Sequence, residues 1–273
     1  MRNLLAANFY RLRKSKPFLL ALAATLAYTG LIVLVCWDHC ADGTGHYTLE
    51  AILTAGFGLM GYLCIPSLIL APLLAVYLGT EHSEHTVRNK LITGHSKAGV
   101  YLAELAVCIL TALALDILFM LLAGLLCVWP VLQMSGVLLR VSAGQLSAWI
   151  AAALLARAAY ASVIKLVATV LERKTGASIA ALLLVAAAML VCRTAFGMIH
   201  SLESALAAGR PVINAEGRLA FWHLLMDILP TGQAIQVSRL DTPNLWRMPL
   251  MSLIVIAVST GVGLAVFRKK DLR

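Results

Sequence analysis

The chain has 273 residues, of which 61% are hydrophobic and 13% charged, with a mean hydropathy of +0.88. A soluble domain is about 45–50% apolar and about 25% charged, so this composition excludes an ordinary soluble protein and predicts an all-α, polytopic membrane protein. The net charge of +9 does not indicate nucleic acid, because the basic residues gather in short segments beside apolar runs and not in a stripe interleaved with aromatics.

Residues 1–17 carry Arg2, Arg11, Arg13, Lys14 and Lys16 and no acid, which predicts a cytoplasmic N-terminus. Leu4, Leu5, Phe9 and Leu12 recur at helical spacing, as in an amphipathic helix lying on the membrane surface. Pro17 starts a new helix. The apolar run after it is span-length and without a convincing small-residue cleavage site, so it is expected to stay as an anchor.

The first span is predicted over 18–37, with Trp37 at the outer interface. The loop 38–50 has no Lys or Arg. Cys36, His39, Cys40 and His46 cluster there, which leaves a disulfide or a metal site as minor alternatives to plain packing. The second span is predicted over 51–78, kinked at Pro66 or Pro72. The third covers 100–128, the fourth 145–171, the fifth 177–199 and the sixth 248–267. A tight turn at 172–176 joins the fourth and fifth. Before the last span, 219–229 is too short to cross a bilayer but apolar enough to lie in it, and Pro230 breaks it; a re-entrant or interfacial helix at the outer face is expected.

With both termini inside, the cytoplasmic segments hold 14 of the 22 Lys and Arg residues, the external loops five, and the spans three: Arg157, Lys165 and Arg193. Inverting the chain would reverse that bias. The whole chain, 1–273, reads as a single transmembrane domain.

The longest polar run before the final third lies between the second and third spans, over 79–99. It has a helical pattern in which Val87, Leu91 and Ile92 share one face while Arg88, Asn89 and Lys90 turn away. A short amphipathic helix between two spans suits docking against something outside the bilayer. Within the spans, Asp116, Arg157 and Arg193 fall at similar depth, and each is costly there without a partner. Asp116 is expected to pair with Arg157 or Arg193; a packing bridge with no transport role explains such a pair equally well. Lys165 lies near an inner end and is expected to snorkel. Alanines crowd the fourth and fifth spans, which close helix packing explains.

Motifs for autonomous chemistry do not emerge. There is no GxxxxGK[ST] and no HExxH. His82 and His85 are three apart, but in a polar loop leading into a helix. Gly94-His95-Ser96-Lys97-Ala98 departs from GxSxG at its last position. No cofactor is expected.

With the spans placed, three segments resemble the permease subunit of an ABC-2 type exporter. The first is Glu84-His85-Thr86-Val87-Arg88-Asn89-Lys90-Leu91-Ile92 followed by Gly94-His95-Ser96-Lys97; the second is 227–233, reading DILPTGQ; the third is the ending 267–272, reading FRKKDL. The resemblance implies that Glu84, Thr86, Arg88, Asn89, Lys90, Leu91 and Ile92 belong to a coupling helix that docks on a separate ABC ATPase subunit. It implies pairing with a second permease, as homodimer or heterodimer, in the lipid of a bacterial plasma membrane. ATP hydrolysis would reside on the partner, so the chain itself would not be an enzyme. The likeness is greatest to exporters of peptides or drugs. The alternative is a non-transporting membrane scaffold or sensor.

Overall fold

A computed structural model describes residues 2–41, 48–57, 65–83, 86–135, 141–171, 173–210, 213–240 and 242–269. Among them every regular element is a helix: α1 (Arg2–Lys14), α2 (Lys16–Ala41), α3 (Leu49–Thr54), α4 (Ile65–Ser83), α5 (Thr86–Ile92), α6 (Lys97–Ser135), α7 (Ala143–Leu171), α8 (Lys174–Ala207), α9 (Ala215–Ile228), α10 (Pro230–Ser238) and α11 (Arg247–Lys269). Five of them, α2, α6, α7, α8 and α11, are long and apolar enough to cross a membrane. A sixth crossing follows if α4 and α5, bent by 54°, count as one broken span.

The burial pattern runs opposite to that of a soluble protein. Leu34, Leu125 and Leu190 are 71%, 74% and 66% exposed, whereas Glu81, Glu104, Asp116, Arg157, Lys165 and Asp227 are all at most 4% exposed. Apolar side chains facing outward, with ionisable groups turned inward to ion pairs or, for Asp227, to a hydrogen bond, are stable in hydrocarbon and would be costly in water. The chain is therefore an all-helical bundle with the character of a multi-pass membrane protein.

Helix α6 has 39 residues and so runs about 58 Å, and α8 has 34 residues and runs about 51 Å. Both exceed the roughly 30 Å of a hydrocarbon core, so the predicted ranges 100–128 and 177–199 are the middles of longer helices. The largest departure concerns the predicted second span over 51–78. Helix α3 ends at Thr54, a turn follows over 55–57, and α4 begins only at Ile65. Gly56 lowers helix propensity at the turn, and Pro66 suits the first turn of a new helix. Residues 58–64 lie outside the described part. Pro72 is inside α4.

Two ends of the bundle are distinct. At one, Leu4 of α1, Val87 of α5, Val100 and Tyr101 of α6 and Phe267 of α11 form one buried cluster. Lys97 Nζ donates to the Arg268 carbonyl across it, at 3.1 Å. At the other end Trp37 stacks on Trp129 at 5.6 Å between ring centres. There α9 and α10 pack on α7 and α8 through Trp149, Cys192, Met226 and Ile235. Between the ends, α11 lies along α7, where Ser162 and Ser259 hydroxyls meet at 2.7 Å.

Candidate functional site

Helix α5 is seven residues long, too short to hold itself together in water. Local chemistry sets its limits. Thr86 Oγ1 donates to the Glu81 carbonyl at 2.8 Å and ties its start to the end of α4. At its other end Gly94 adopts φ +89°, the left-handed region open to glycine. The Gly94 amide donates to the Leu91 carbonyl at 3.0 Å and the His95 amide to the Lys90 carbonyl at 3.3 Å, the pair of bonds of a Schellman motif. Two residues later Ser96 caps α6, its Oγ accepting from the Gly99 amide at 3.1 Å. The run from Gly94 to Lys97 thus stops one helix and starts the next.

The orientation of α5 differs in two respects from its sequence pattern. Val87 is buried, but Ile92 is 73% exposed. Lys90 points inward instead of away: its Nζ lies 2.8 Å from Glu81 Oε2 and 3.2 Å from Glu104 Oε1. Electrostatics outweighs the apolar stripe here, because two buried carboxylates need counter-charges more than Ile92 needs cover. Arg88 and Asn89 are exposed, and Leu91 packs at the edge of the cluster around Val87. Glu84 lies outside the described residues, as do His85 and the side chain of His82.

Glu104 continues the chain of charges inward. Its Oε2 lies 2.5 Å from Lys165 Nζ, with both side chains fully buried. Lys165 therefore does not snorkel; it sits 5.1 Å from the Tyr101 ring centre with a carboxylate at its tip. The reason is direction: Lys165 is on the face of α7 turned toward α6, where Glu104 and Tyr101 meet it. Glu81 is also reached by Arg11 of α1 at 3.5 Å, and the Tyr77 hydroxyl lies 3.1 Å from both Glu81 Oε1 and the Asn8 carbonyl oxygen. Two carboxylates and two ammonium groups alternate across α4, α5, α6 and α7, with Arg11 at the rim. The four inner groups match in number, Arg11 adds one positive charge at the rim, and the set holds α5 to the interior by paired charges. Nothing in the sequence marks Glu81 and Glu104 as the partners of Lys90 and Lys165, because their separations in the chain follow no helical periodicity.

A second buried pair lies about 18 Å further along α6, twelve residues beyond Glu104. Arg157 Nε donates to Asp116 Oδ2 at 2.8 Å, one terminal nitrogen to Ser67 Oγ at 2.6 Å and the other to the Gly56 carbonyl at 3.3 Å. Arg193, the other predicted partner, is on the exposed side of α8 and outside this pair. Of the residues clustered by sequence near the end of α2, Cys36 is buried and His39 Nδ1 lies 2.9 Å from the Val35 carbonyl oxygen. The Cys40 side chain and His46 lie outside the described residues.

The predicted re-entrant segment is two helices. Leu229 is extended and Pro230 opens α10. Asp227 is buried, and its Oδ1 accepts from Gln236 Nε2 at 3.2 Å. Gln233 Nε2 donates to the Asp227 carbonyl at 2.5 Å and its Oε1 accepts from Ser252 at 2.7 Å. The DILPTGQ run thus folds back on itself and on α11. Burial pushes the Asp227 carboxyl above its ordinary range, against a smaller opposing effect of the Gln236 hydrogen bond. Between the ordinary and the raised value the folded chain binds more of this proton than the unfolded chain does, so this contribution to stability is full below the ordinary carboxylate range and is lost as pH rises through the raised value. Asp227→Asn keeps the acceptor and removes the charge. Thermal unfolding in detergent at pH 8 is expected to show it at least as stable as the parent. Asp227→Ala, which strands the Gln236 amide, is expected to be about 1–3 kcal/mol less stable.

Among the described residues, no group of three or more His, Cys, Asp or Glu is placed to hold a metal ion. No protein-family model matches the chain, and no curated protein matches it.

Proposed function

We propose that this chain is the permease subunit of an ABC-2 type exporter in a bacterial plasma membrane. It would move a peptide, drug or other amphiphilic substrate outward with energy from a separate ATPase subunit. On this reading α5 is the coupling helix at the cytoplasmic end, where both termini also lie, α9 and α10 form the external re-entrant element, and a second permease completes the pathway.

The observation that supports this most is the division of α5 into two faces. Lys90 and Val87 key it into α4, α6 and the interior, while Arg88, Asn89 and Ile92 face outward. A push on the outer face would reach Glu104 and, through Lys165, helix α7 by way of these ion pairs. The three-segment resemblance supports the same reading.

The test is to isolate the tagged chain from its native membrane and identify its companions by mass. An ATPase with a P-loop is expected. Arg88→Glu and Ile92→Asp should leave membrane insertion intact and lower substrate-stimulated ATP hydrolysis about tenfold, the loss of one or two docking contacts. Full coupling in both variants would sink the docking role of α5. A chain that inserts normally but brings no ATPase would instead favour a membrane scaffold or sensor.

A further inference from the structure

A cavity of about 650 Å³ opens where α1 turns into α2, beside the ends of α4 and α8. Its polar wall carries Arg11, Lys16 and Lys174 with the hydroxyls of Thr175 and Ser178. Glu81 is the one acid among its described lining residues, and Arg11 and Lys90 already neutralise it. Lys16 and Lys174 are exposed and make no ion pair among the described residues. Beside the cavity, α4 and the start of α8 approach tightly at Lys174, one of its lining residues. A Cβ on Gly79 would come 2.4 Å from Lys174 Cα, so the absence of a side chain there lets the start of α8 meet α4.

A second volume, about 380 Å³, continues from the first and shares Lys16, Pro17 and Val76 with it. Beyond these its wall is apolar, with Leu20 and Ala24 of α2 facing Ile69 and Leu73 of α4. From Lys16 to Ala24 a helix rises about 12 Å, most of the roughly 15 Å depth of one hydrocarbon leaflet. One end is cationic with two uncommitted ammonium groups. The other is a trench of acyl-chain depth.

We infer a binding site for one anionic phospholipid, its phosphate between Lys16, Lys174 and Arg11 and an acyl chain between α2 and α4. A free anion would leave the trench without purpose, and a zwitterionic head would leave the two lysines in surplus. A lipid seated there bridges the α1–α2 elbow to α4 and α8, next to the ion cluster that holds α5. The site stands whether or not the chain is an exporter subunit.

The test uses the purified full chain in mild detergent and native mass spectrometry. Dioleoylphosphatidylglycerol, dioleoylphosphatidylcholine and inorganic phosphate are titrated in parallel. Phosphatidylglycerol is expected to be retained at least tenfold better than phosphatidylcholine. Each surface lysine contributes about fivefold toward an anionic lipid, so the double variant Lys16→Gln/Lys174→Gln should lower phosphatidylglycerol retention about twentyfold. Ala24→Phe, which fills the trench, should lower it as well while leaving both lysines in place. Unfolding temperatures of all variants check that they fold. Equal retention of the two lipids, or no response to the lysine substitutions, overturns the site. Phosphate binding that competes with phosphatidylglycerol and ignores Ala24→Phe overturns it in favour of a free-anion site.

Discussion

Replacing Glu104 with glutamine is expected to lower the stability of the purified chain by about 3–5 kcal/mol, the cost of stranding one buried charge. Lys165 is the group stranded: it is fully buried, and Glu104 Oε2 lies at its tip. The same substitution removes one of the two carboxylates around Lys90, so α5 loosens too. Lys165→Met should cost less, because Lys90 still faces the carboxylate of Glu104 and shares its charge. Glu104→Gln combined with Lys165→Met should recover most of the loss, since a matched apolar or neutral pair is often as stable as a buried ion pair. Unfolding of the four proteins in detergent, by heat or by denaturing detergent, measures the coupling directly. Simple addition of the two single losses would show that Glu104 and Lys165 do not act as a pair.

Arg157 is expected to give the second large effect. Its guanidinium meets Asp116 of α6, Ser67 of α4 and the carbonyl of Gly56 in the turn after α3, and it lies 5.9 Å from the Phe57 ring centre. One side chain on α7 thereby fixes three other segments, including the place where the second apolar stretch breaks. Arg157→Met leaves Asp116 buried and unpaired and should cost about 3–5 kcal/mol. Arg157→Lys keeps the charge but cannot address three acceptors in a planar fork, and a loss of about 2 kcal/mol is expected from the bonds it drops. Asp116→Asn keeps an acceptor for Nε but leaves the guanidinium uncompensated; a loss of similar size is expected. A transport assay beside the unfolding measurement separates two roles. Reduced stability with unchanged transport per folded molecule would make the pair a packing bridge and nothing more.

These effects are instructive about what a sequence conveys. The helices were legible because span-length apolar runs have few alternatives in a bilayer, where every backbone amide must be satisfied within its own segment. The start of α2, the break at Pro230 and the short helix after the second apolar run follow from proline placement and local polarity. The pairing of Asp116 was readable as a need for a counter-charge, and only two arginines stood at matching depth. The turn over 55–57 was harder, since a glycine-rich apolar run reads as a span on hydropathy alone while its backbone preference is weak.

Lys90 and Lys165 mark the limit. From the helical wheel of α5, Lys90 belongs outside with Arg88 and Asn89. From its distance to a span end, Lys165 could reach water. Both assignments treat a helix as if it faced a uniform solvent, and neither anticipates Glu81 and Glu104.

Composition and the order of apolar and polar runs were enough to determine that this chain is helical, apolar outside and long enough for several crossings, because the solvent itself enforces that solution. Which charges meet inside was decided by the packing of α4, α5, α6 and α7, with α1 at the rim. A buried carboxylate selects its counter-ion by distance in space, and residues as far apart in the chain as Glu104 and Lys165 acquire that distance only when the helices carrying them come together.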